Sequence, residues 1–348
     1  MLPEGLELRE FDPQAATDAE FVALNALQNR VLAETRPYYP PATLSETIAA
    51  QTHKRSTMRR REWAVWHGAV MIAAAGMEIY VGQTNQHLAE IWISVLPEWR
   101  RRTIGTHLLA RIADGVQAED RRLIMASTSS NSPAGGRFLE RLGAEAALRA
   151  SQNQLVVSEL DRPRMQVWLQ QAESLKVEFE LGIWEGRFPE EEIAAIARLH
   201  ELMNTAPRGD LQIEDQTYSI EEMREWEGSM AAQNQERWTM YVRRRASGEL
   251  AGYTEVFWSP NHPDVLGQGD TGVAPAYRNR GLGRWLKAAM IEKVIRERPS
   301  VQTVRTGNAD ANAAMLKINH EMGFKLLHTW QHWQVSLGQV ESYLAGRS

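Results

Sequence analysis

The 348-residue chain contains no cysteine, which removes disulfides, thiolate metal sites and a cysteine nucleophile together. Any acyl transfer must then proceed without a cysteinyl intermediate. No stretch approaches the roughly 18 to 20 apolar residues that a membrane helix requires. Met1 to Asp12 has neither the basic start nor the apolar core of a signal peptide. An excess of positive charge is missing too: 39 Lys+Arg stand against 44 Asp+Glu, a net charge of -5, so no global field favours nucleic acid or an anionic membrane. These absences lead to the expectation of a soluble cytoplasmic protein without nucleic-acid or membrane partners. Gly-x-x-x-x-Gly-Lys-Ser/Thr, His-Glu-x-x-His and Gly-x-Ser-x-Gly are also absent, which argues against P-loop, zincin and hydrolase-elbow chemistry. No metal site is expected.

What is present is ordinary globular composition, 43% hydrophobic and 24% charged, at a length that favours two domains. The sequence also repeats itself. Val95-Leu96-Pro97-Glu98-Trp99-Arg100-Arg101-Arg102-Thr103-Ile104-Gly105 aligns with Val273-Ala274-Pro275-Ala276-Tyr277-Arg278-Asn279-Arg280-Gly281-Leu282-Gly283. Downstream, Phe138 to Ala144 aligns with Ile318 to Phe324 at nearly the same offset. Two homologous domains in tandem are expected, over 1–158 and 175–348, with 159–174 as linker.

Apolar periodicity predicts the same element order in each half. In the second half it gives a strand at Leu175 to Trp184 and helices at Pro189 to Asn204 and Ser219 to Gln233, the latter opened by a Ser-x-x-Glu capping signal. A hairpin of Trp238 to Arg243 and Leu250 to Trp258 follows, then a strand ending at Val273 and a helix from near Trp285 to Arg296. A strand at Val301 to Arg305, a helix at Ala311 to Met322 and terminal strands over Phe324 to Leu337 complete it. The fold class is α/β with a mixed sheet.

Between Val273 and the helix, Arg278-Asn279-Arg280-Gly281-Leu282-Gly283 reads as an anion cradle. Its glycines permit a tight turn at a helix start, where unpaired N–H groups and the positive dipole end suit a diphosphate. Gly267-Gln268-Gly269-Asp270-Thr271-Gly272 satisfies Gly-x-Gly-x-x-Gly, but a dinucleotide fold needs a helix opening there, and Pro275 follows instead.

The element order, the Arg-x-x-Gly-x-Gly cradle after Val273, Asn312 eleven residues before Gly323-Phe324 and the repeat together resemble the GNAT superfamily of acyl-CoA-dependent N-acyltransferases. The tandem arrangement is similar to the two-domain branch that includes mycothiol synthase. The resemblance implies that Gly272, Val273 and Ala274 pair with the pantetheine arm along a splayed strand. It implies that the backbone from Arg278 through Asn279, Arg280, Gly281, Leu282, Gly283 and Arg284 holds the pyrophosphate. Asn312 would reach the pantetheine or the sulfur, or serve only as a helix cap. Many relatives place a tyrosine acid seven residues after that asparagine, where this chain has Asn319. In the first half Thr103 replaces a cradle glycine and Ser132 replaces the asparagine, so the second half is expected to be catalytic and the first degenerate.

An alkyl amine arrives protonated, so a base is needed, and Glu255 and Asp270 are equal candidates, each otherwise a solvent-facing strand residue or an arginine partner. Glu90 occupies comparable territory in the first half. His200, His320, His328 and His332 are further candidates, and Trp258, Trp330 and Trp333 are candidates for lining an acceptor pocket. The implied activity is acetyl transfer from acetyl-CoA to a small-molecule primary amine within a ternary complex, in a monomer or homodimer. A noncatalytic acyl-CoA sensor or scaffold and a protein or peptide N-acetyltransferase are the alternatives.

Overall fold

The computed structural model describes residues 2–53, 56–82 and 84–346. In chain order the elements are β1 (Leu6–Glu10), α1 (Asp18–Thr35), α2 (Leu44–Thr52), β2 (Met58–His67), β3 (Val70–Tyr80), β4 (Leu88–Val95), α3 (Ile104–Ala118), β5 (Leu123–Ser129), α4 (Pro133–Arg141) and β6 (Glu145–Val156). There follow α5 (Arg162–Ala172), β7 (Phe179–Glu185), α6 (Ile193–His200), α7 (Ile220–Ala232), β8 (Glu236–Arg244), β9 (Leu250–Trp258), β10 (Val265–Val273), α8 (Leu282–Glu297), β11 (Thr303–Ala309), α9 (Ala313–Met322), β12 (Lys325–Ser336) and α10 (Leu337–Ala345). Among the described residues no helix is long and apolar enough to cross a membrane.

The elements form two compact units. Unit 1 comprises the described residues up to Arg149, Gly209–Glu214 and those from Thr329 onward; unit 2 comprises Ala150–Arg208 and Asp215–His328. In unit 1, β1 to β4 pair antiparallel in sequence order, β5 runs parallel to β4, and Trp330–Ser336 of β12 closes the sheet against β5. In unit 2, β7 to β10 repeat the antiparallel run, β11 is parallel to β10, and Ala150–Val156 of β6 closes the sheet against β11. Each sheet therefore borrows its last strand from the other half of the sequence.

That exchange corrects the linear boundaries expected from the repeat. Residues 159–174 are not a free linker: Asp161 caps α5, which buries Met165, Trp168 and Ala172 in the core of unit 2. The terminal strands expected over Phe324 to Leu337 are the single strand β12. The helix after it, α10, starts on a Ser336/Gln339 capping box and buries Val340.

Local sequence explains the remaining helices. Thr17 with Glu20, Thr43 with Glu46 and Ser219 with Glu222 form reciprocal capping boxes at α1, α2 and α7, which satisfies helix-start amides that would otherwise lack partners. The following apolar positions bury against their own sheet: Phe21, Leu24 and Leu27 on α1, and Leu108, Leu109, Ile112 and Val116 on α3. In unit 2, α8 does the same with Leu282, Trp285, Leu286, Met290 and Val294.

Candidate active site

The site begins where two parallel strands part. β10 pairs with β11 only from Val265–Thr303 to Gly267–Arg305, yet both strands continue, to Val273 and Ala309. Beyond Gly267 the edge of β10 facing β11 has no strand partner, so its backbone groups are free to pair with an extended ligand as a further strand would. Gly272 lies on this stretch. A Cβ there would sit 3.2 Å from the Tyr253 ring and 3.4 Å from Leu202, so any other residue would press these neighbours back by a few tenths of an ångström.

The cradle follows at the end of β10. Asn279 (φ 61°) and Gly281 (φ 90°) turn the chain through left-handed conformations into α8. Among the described residues no backbone carbonyl accepts from the N–H groups of Asn279 to Arg284, and the helical ladder starts with Trp285 N–H to Gly281 O at 3.0 Å. These free amides at the positive end of a 16-residue helix fit a diphosphate.

The cradle arginines are engaged elsewhere. Arg278 donates to Val273 O (2.9 Å) and to Thr205 Oγ1 (2.6 Å), bracing the strand end. Arg280 pairs with Glu178 over the Phe179 ring, and Arg284 pairs with Glu321 (2.9 Å) beside Trp168. With these side chains paired, the donors the cradle leaves free are its backbone amides at the helix start, and the side chains hold its shape.

Asn312 caps α9, accepting from Met315 N–H at 3.3 Å, as its plainer expectation had it. Asn319 is fully buried: its Oδ1 accepts from Lys287 Nζ (2.6 Å) and its Nδ2 donates to Asn308 Oδ1 (2.7 Å). With both ends of the amide used, Asn319 presents no acid at the position where relatives carry tyrosine. Lys287 was not singled out from the sequence. It is 2% exposed, and burial pushes its ammonium down to about 7.

That depression has a sign in stability. Between about 7 and the ordinary lysine value the unfolded chain holds a proton that the folded chain has shed, so this residue makes stability rise with pH through that window. Urea unfolding at pH 8 and pH 10 is expected to show a gain of about 2 kcal/mol in the wild type relative to Lys287→Met. Equal gains in the two proteins would remove the assignment.

Glu255 and Asp270 are brought together on adjacent strands. The β9–β10 register slips between Gln268 and Thr271, a bulge that places Gly269 and Asp270 opposite Glu255. Glu255 is 2% exposed, and burial followed by the charge of Asp270 raises its carboxyl to about 8, against the opposing pull of Arg237. Burial also raises Asp270, an effect opposed by the Tyr253 hydroxyl. Tyr253 is itself held well above its ordinary value by burial and by the two carboxylates. Two close carboxyls, one buried and one half-buried, that cannot both ionise easily can share one proton and take up another from a ligand.

Of the four histidines considered from the sequence, His200 alone joins this cluster. One ligand atom each from His200, Glu255 and Asp270 lies within 4.8 Å of the others. His332 instead meets Ser127 Oγ in unit 1 at 2.8 Å. The tryptophan expectation is corrected: Trp330 and Trp333 sit in unit 1 opposite Ser129 and Ala126, and Trp258 donates to Pro263 O beneath Arg298. Tyr218 and Tyr253 neighbour the carboxyls, and with Trp226 and Phe188 their rings surround His200.

Unit 1 keeps the cradle backbone. Arg101 (φ 63°) and Thr103 (φ 60°) repeat the left-handed pair, and Arg100 Nε donates to Val95 O at 2.9 Å as Arg278 does to Val273. A Cβ at Gly281 would meet nothing nearer than Leu175 at 4.0 Å, so Thr103 does not by itself alter the turn. The difference lies at the carboxyls. Val95 pairs with Ala73 as Val273 pairs with Gly252, and equal steps from those pairs put Trp92 and Gly76 where unit 2 has Asp270 and Glu255. A Cβ on Gly76 would lie 2.6 Å from the Trp92 indole nitrogen, so the indole occupies that space. Glu90 is not the counterpart of the candidate bases: it is exposed, opposite Glu78.

A splayed parallel pair ending in an amide cradle, built twice on mixed sheets, is the architecture of an acyl-CoA-dependent N-acyltransferase in tandem. The acetyltransferase (GNAT) family model matches residues 26–144 and again 196–324, and the chain belongs to that family, whose members use an acyl-CoA donor. It is an N-acetyltransferase.

A tandem GNAT protein from the clavulanic acid biosynthesis pathway, solved without acetyl-CoA, superposes with a TM-score of 0.77 at 22% identity, over 96% of this chain and 99% of that one. A GCN5-related N-acetyltransferase from Sphaerobacter thermophilus superposes at 0.64 and 12% identity, over 97% of each chain. A glucosamine N-acetyltransferase region of a fungal β-N-acetylglucosaminidase reaches 0.64 at 11%, over 96% of this chain and 38% of that one. At these identities the likenesses are of fold. No curated protein matches the chain in sequence.

Proposed function

We propose that unit 2 transfers the acetyl group of acetyl-CoA to a small-molecule primary amine, with Glu255 and Asp270 together as the base. The observation that carries this reading is the clustered carboxyl pair, Glu255 buried on β9 and Asp270 half-buried on β10, the strand that leads into the free-amide cradle. Gly272, Val273 and Ala274 offer the strand edge to the pantetheine, and the amides from Asn279 to Arg284 offer donors to the pyrophosphate. The donor supplies an activated carbonyl. The pair accepts a proton from the acceptor's ammonium, the freed nitrogen attacks the thioester carbon, the C–N bond forms as the C–S bond breaks, and the second proton, shed by the nitrogen as the amide forms, passes through water to the leaving thiolate.

Burial of Glu255, with Tyr218 and Tyr253 beside the pair, favours a compact amine over a side chain on a folded protein surface. In unit 1 the same positions hold Gly76 and Trp92, which supports a noncatalytic role for that unit.

Incubation of an amine library with acetyl-CoA, read by mass spectrometry, tests the reading. Acetylated product is expected; donor binding with no acylated product from any amine would favour a sensor. For a turned-over amine, kcat/KM should climb with pH toward about 8, because below that value Glu255 keeps its proton and the pair accepts less readily. Glu255→Gln should displace that limb. A limb unchanged in both Glu255→Gln and Asp270→Asn excludes the pair as the base.

A further inference from the structure

Glu255 and Asp270 have a neighbour that the chemistry above leaves idle. His200, the last residue of α6, is 4% exposed. Its ring stands edge-on to Phe188 (6.1 Å), Tyr218 (6.2 Å) and Trp226 (5.5 Å) and tilts over Tyr253 (4.9 Å). Packing accounts for an aromatic ring here but not for its nitrogen. Among the described residues His200 Nε2 is buried with no hydrogen-bond partner, and so is Glu255 Oε2. Leaving such a group unpaired costs about 1–3 kcal/mol, and phenylalanine would fill the same space without that cost.

The two residues belong to one cluster with Asp270, one ligand atom of each lying within 4.8 Å of the others, and their orphaned atoms are chemically complementary. A neutral imidazole nitrogen either donates or accepts, and a carboxyl can answer both. Burial first, and the charge of Arg237 second, hold the imidazole neutral, with its ring pushed down to about 3. It is therefore not a cation competing with an incoming ammonium. The charged and titratable groups around the cluster are Arg237 on β8, itself paired with Glu227 of α7 at 3.1 Å, Tyr253 on β9, Tyr218, Glu222 of α7 and Glu201 after α6.

We propose that His200 is a positioning residue for the carboxyl pair: its Nε2 hydrogen-bonds one of the two carboxyls when the acceptor amine enters and fixes which oxygen faces the ammonium. This rests on the reading of Glu255 and Asp270 as the base. The gap left in the free chain closes by side-chain rotation, as hydrogen bonds of this kind tighten on ligand binding.

Two substitutions separate positioning from packing. His200→Phe keeps the ring and deletes the nitrogen; His200→Gln keeps an amide nitrogen at similar reach and deletes the ring. Positioning predicts that His200→Phe lowers kcat about tenfold, leaves KM for acetyl-CoA unchanged and moves the acid limb, while His200→Gln stays nearer wild type in both. The opposite order, or no change in either variant, overturns the proposal. In the wild-type protein with the acceptor amine bound and no acetyl-CoA present, the ¹⁵N resonance of His200 Nε2 should shift over the pH range in which Glu255 ionises and stay constant in Glu255→Gln. A resonance constant in both also overturns it, and this readout needs no histidine variant to fold. If instead Glu255→Gln and Asp270→Asn both retain full activity, it is the base assignment that fails, whatever the histidine variants do.

Discussion

The double variant Glu255→Gln, Asp270→Asn is expected to lose about 10²- to 10⁴-fold in kcat/KM, the usual range for a positioned general base, while its affinity for acetyl-CoA stays within about threefold of wild type. Neither substitution touches the free backbone amides or the open edge of β10 on which the proposed donor site rests. Each single variant should lose less than half of the double variant's effect in free energy, because the remaining carboxyl can still take a proton. The reasoning is electrostatic. Glu255 is raised to about 8 by burial and by Asp270, so removing either charge lets the other ionise more easily. Single-turnover kinetics on a responsive amine, with calorimetry for acetyl-CoA, checks this. A double variant that turns over normally would show that the amine sheds its proton to water or to another group.

Gly281→Trp is expected to weaken acetyl-CoA binding by about 100-fold, or ~2.7 kcal/mol, with the far-UV spectrum unchanged. Gly281 adopts φ 90°, so a side chain there adds about 1–2 kcal/mol of backbone strain, small enough for a folded domain to absorb. Thr103 shows that the turn accepts a side chain, since it holds φ 60° at the matching place in unit 1. The larger effect is that the indole stands where phosphate oxygens must approach the amides of Asn279 to Arg284. Thr103→Trp is the matched control: if unit 2 alone is catalytic, it leaves turnover unchanged. Loss of turnover in Thr103→Trp with retention in Gly281→Trp would move the activity to unit 1.

Much of the donor side was readable from residue order. Arg278 to Gly283 carries its own geometry, because a glycine-bearing turn ahead of an apolar-periodic helix has few conformations, and the Ser219/Glu222 box marked the start of α7 within one residue. The acceptor side was only half readable. Glu255 stood out as a charge in an apolar strand, and Asp270 by its distance from Val273. Their meeting depends on a one-residue slip between Gln268 and Thr271, which no alternation pattern announces. His200 lies 55 and 70 residues before them, on a helix whose apolar spacing gave the ring a sufficient reason to be buried. Lys287 is hidden in the same way, as a polar residue on the packed side of α8, and only its bond to Asn319 gives it meaning.

By itself the sequence determined that the chain is two copies of one α/β pattern, with a glycine-bearing turn opening a helix in the second, because repeats, capping residues and glycine-dependent turns are local and act over a few neighbouring residues. Tertiary structure decided the rest: that the closing strands are exchanged between halves, that Trp92 takes the space left by Gly76, and that His200, Glu255 and Asp270 share one buried cluster. Strand partners and the burial that shifts a carboxyl's proton affinity are properties of contacts between distant segments, and those exist only once the chain has packed.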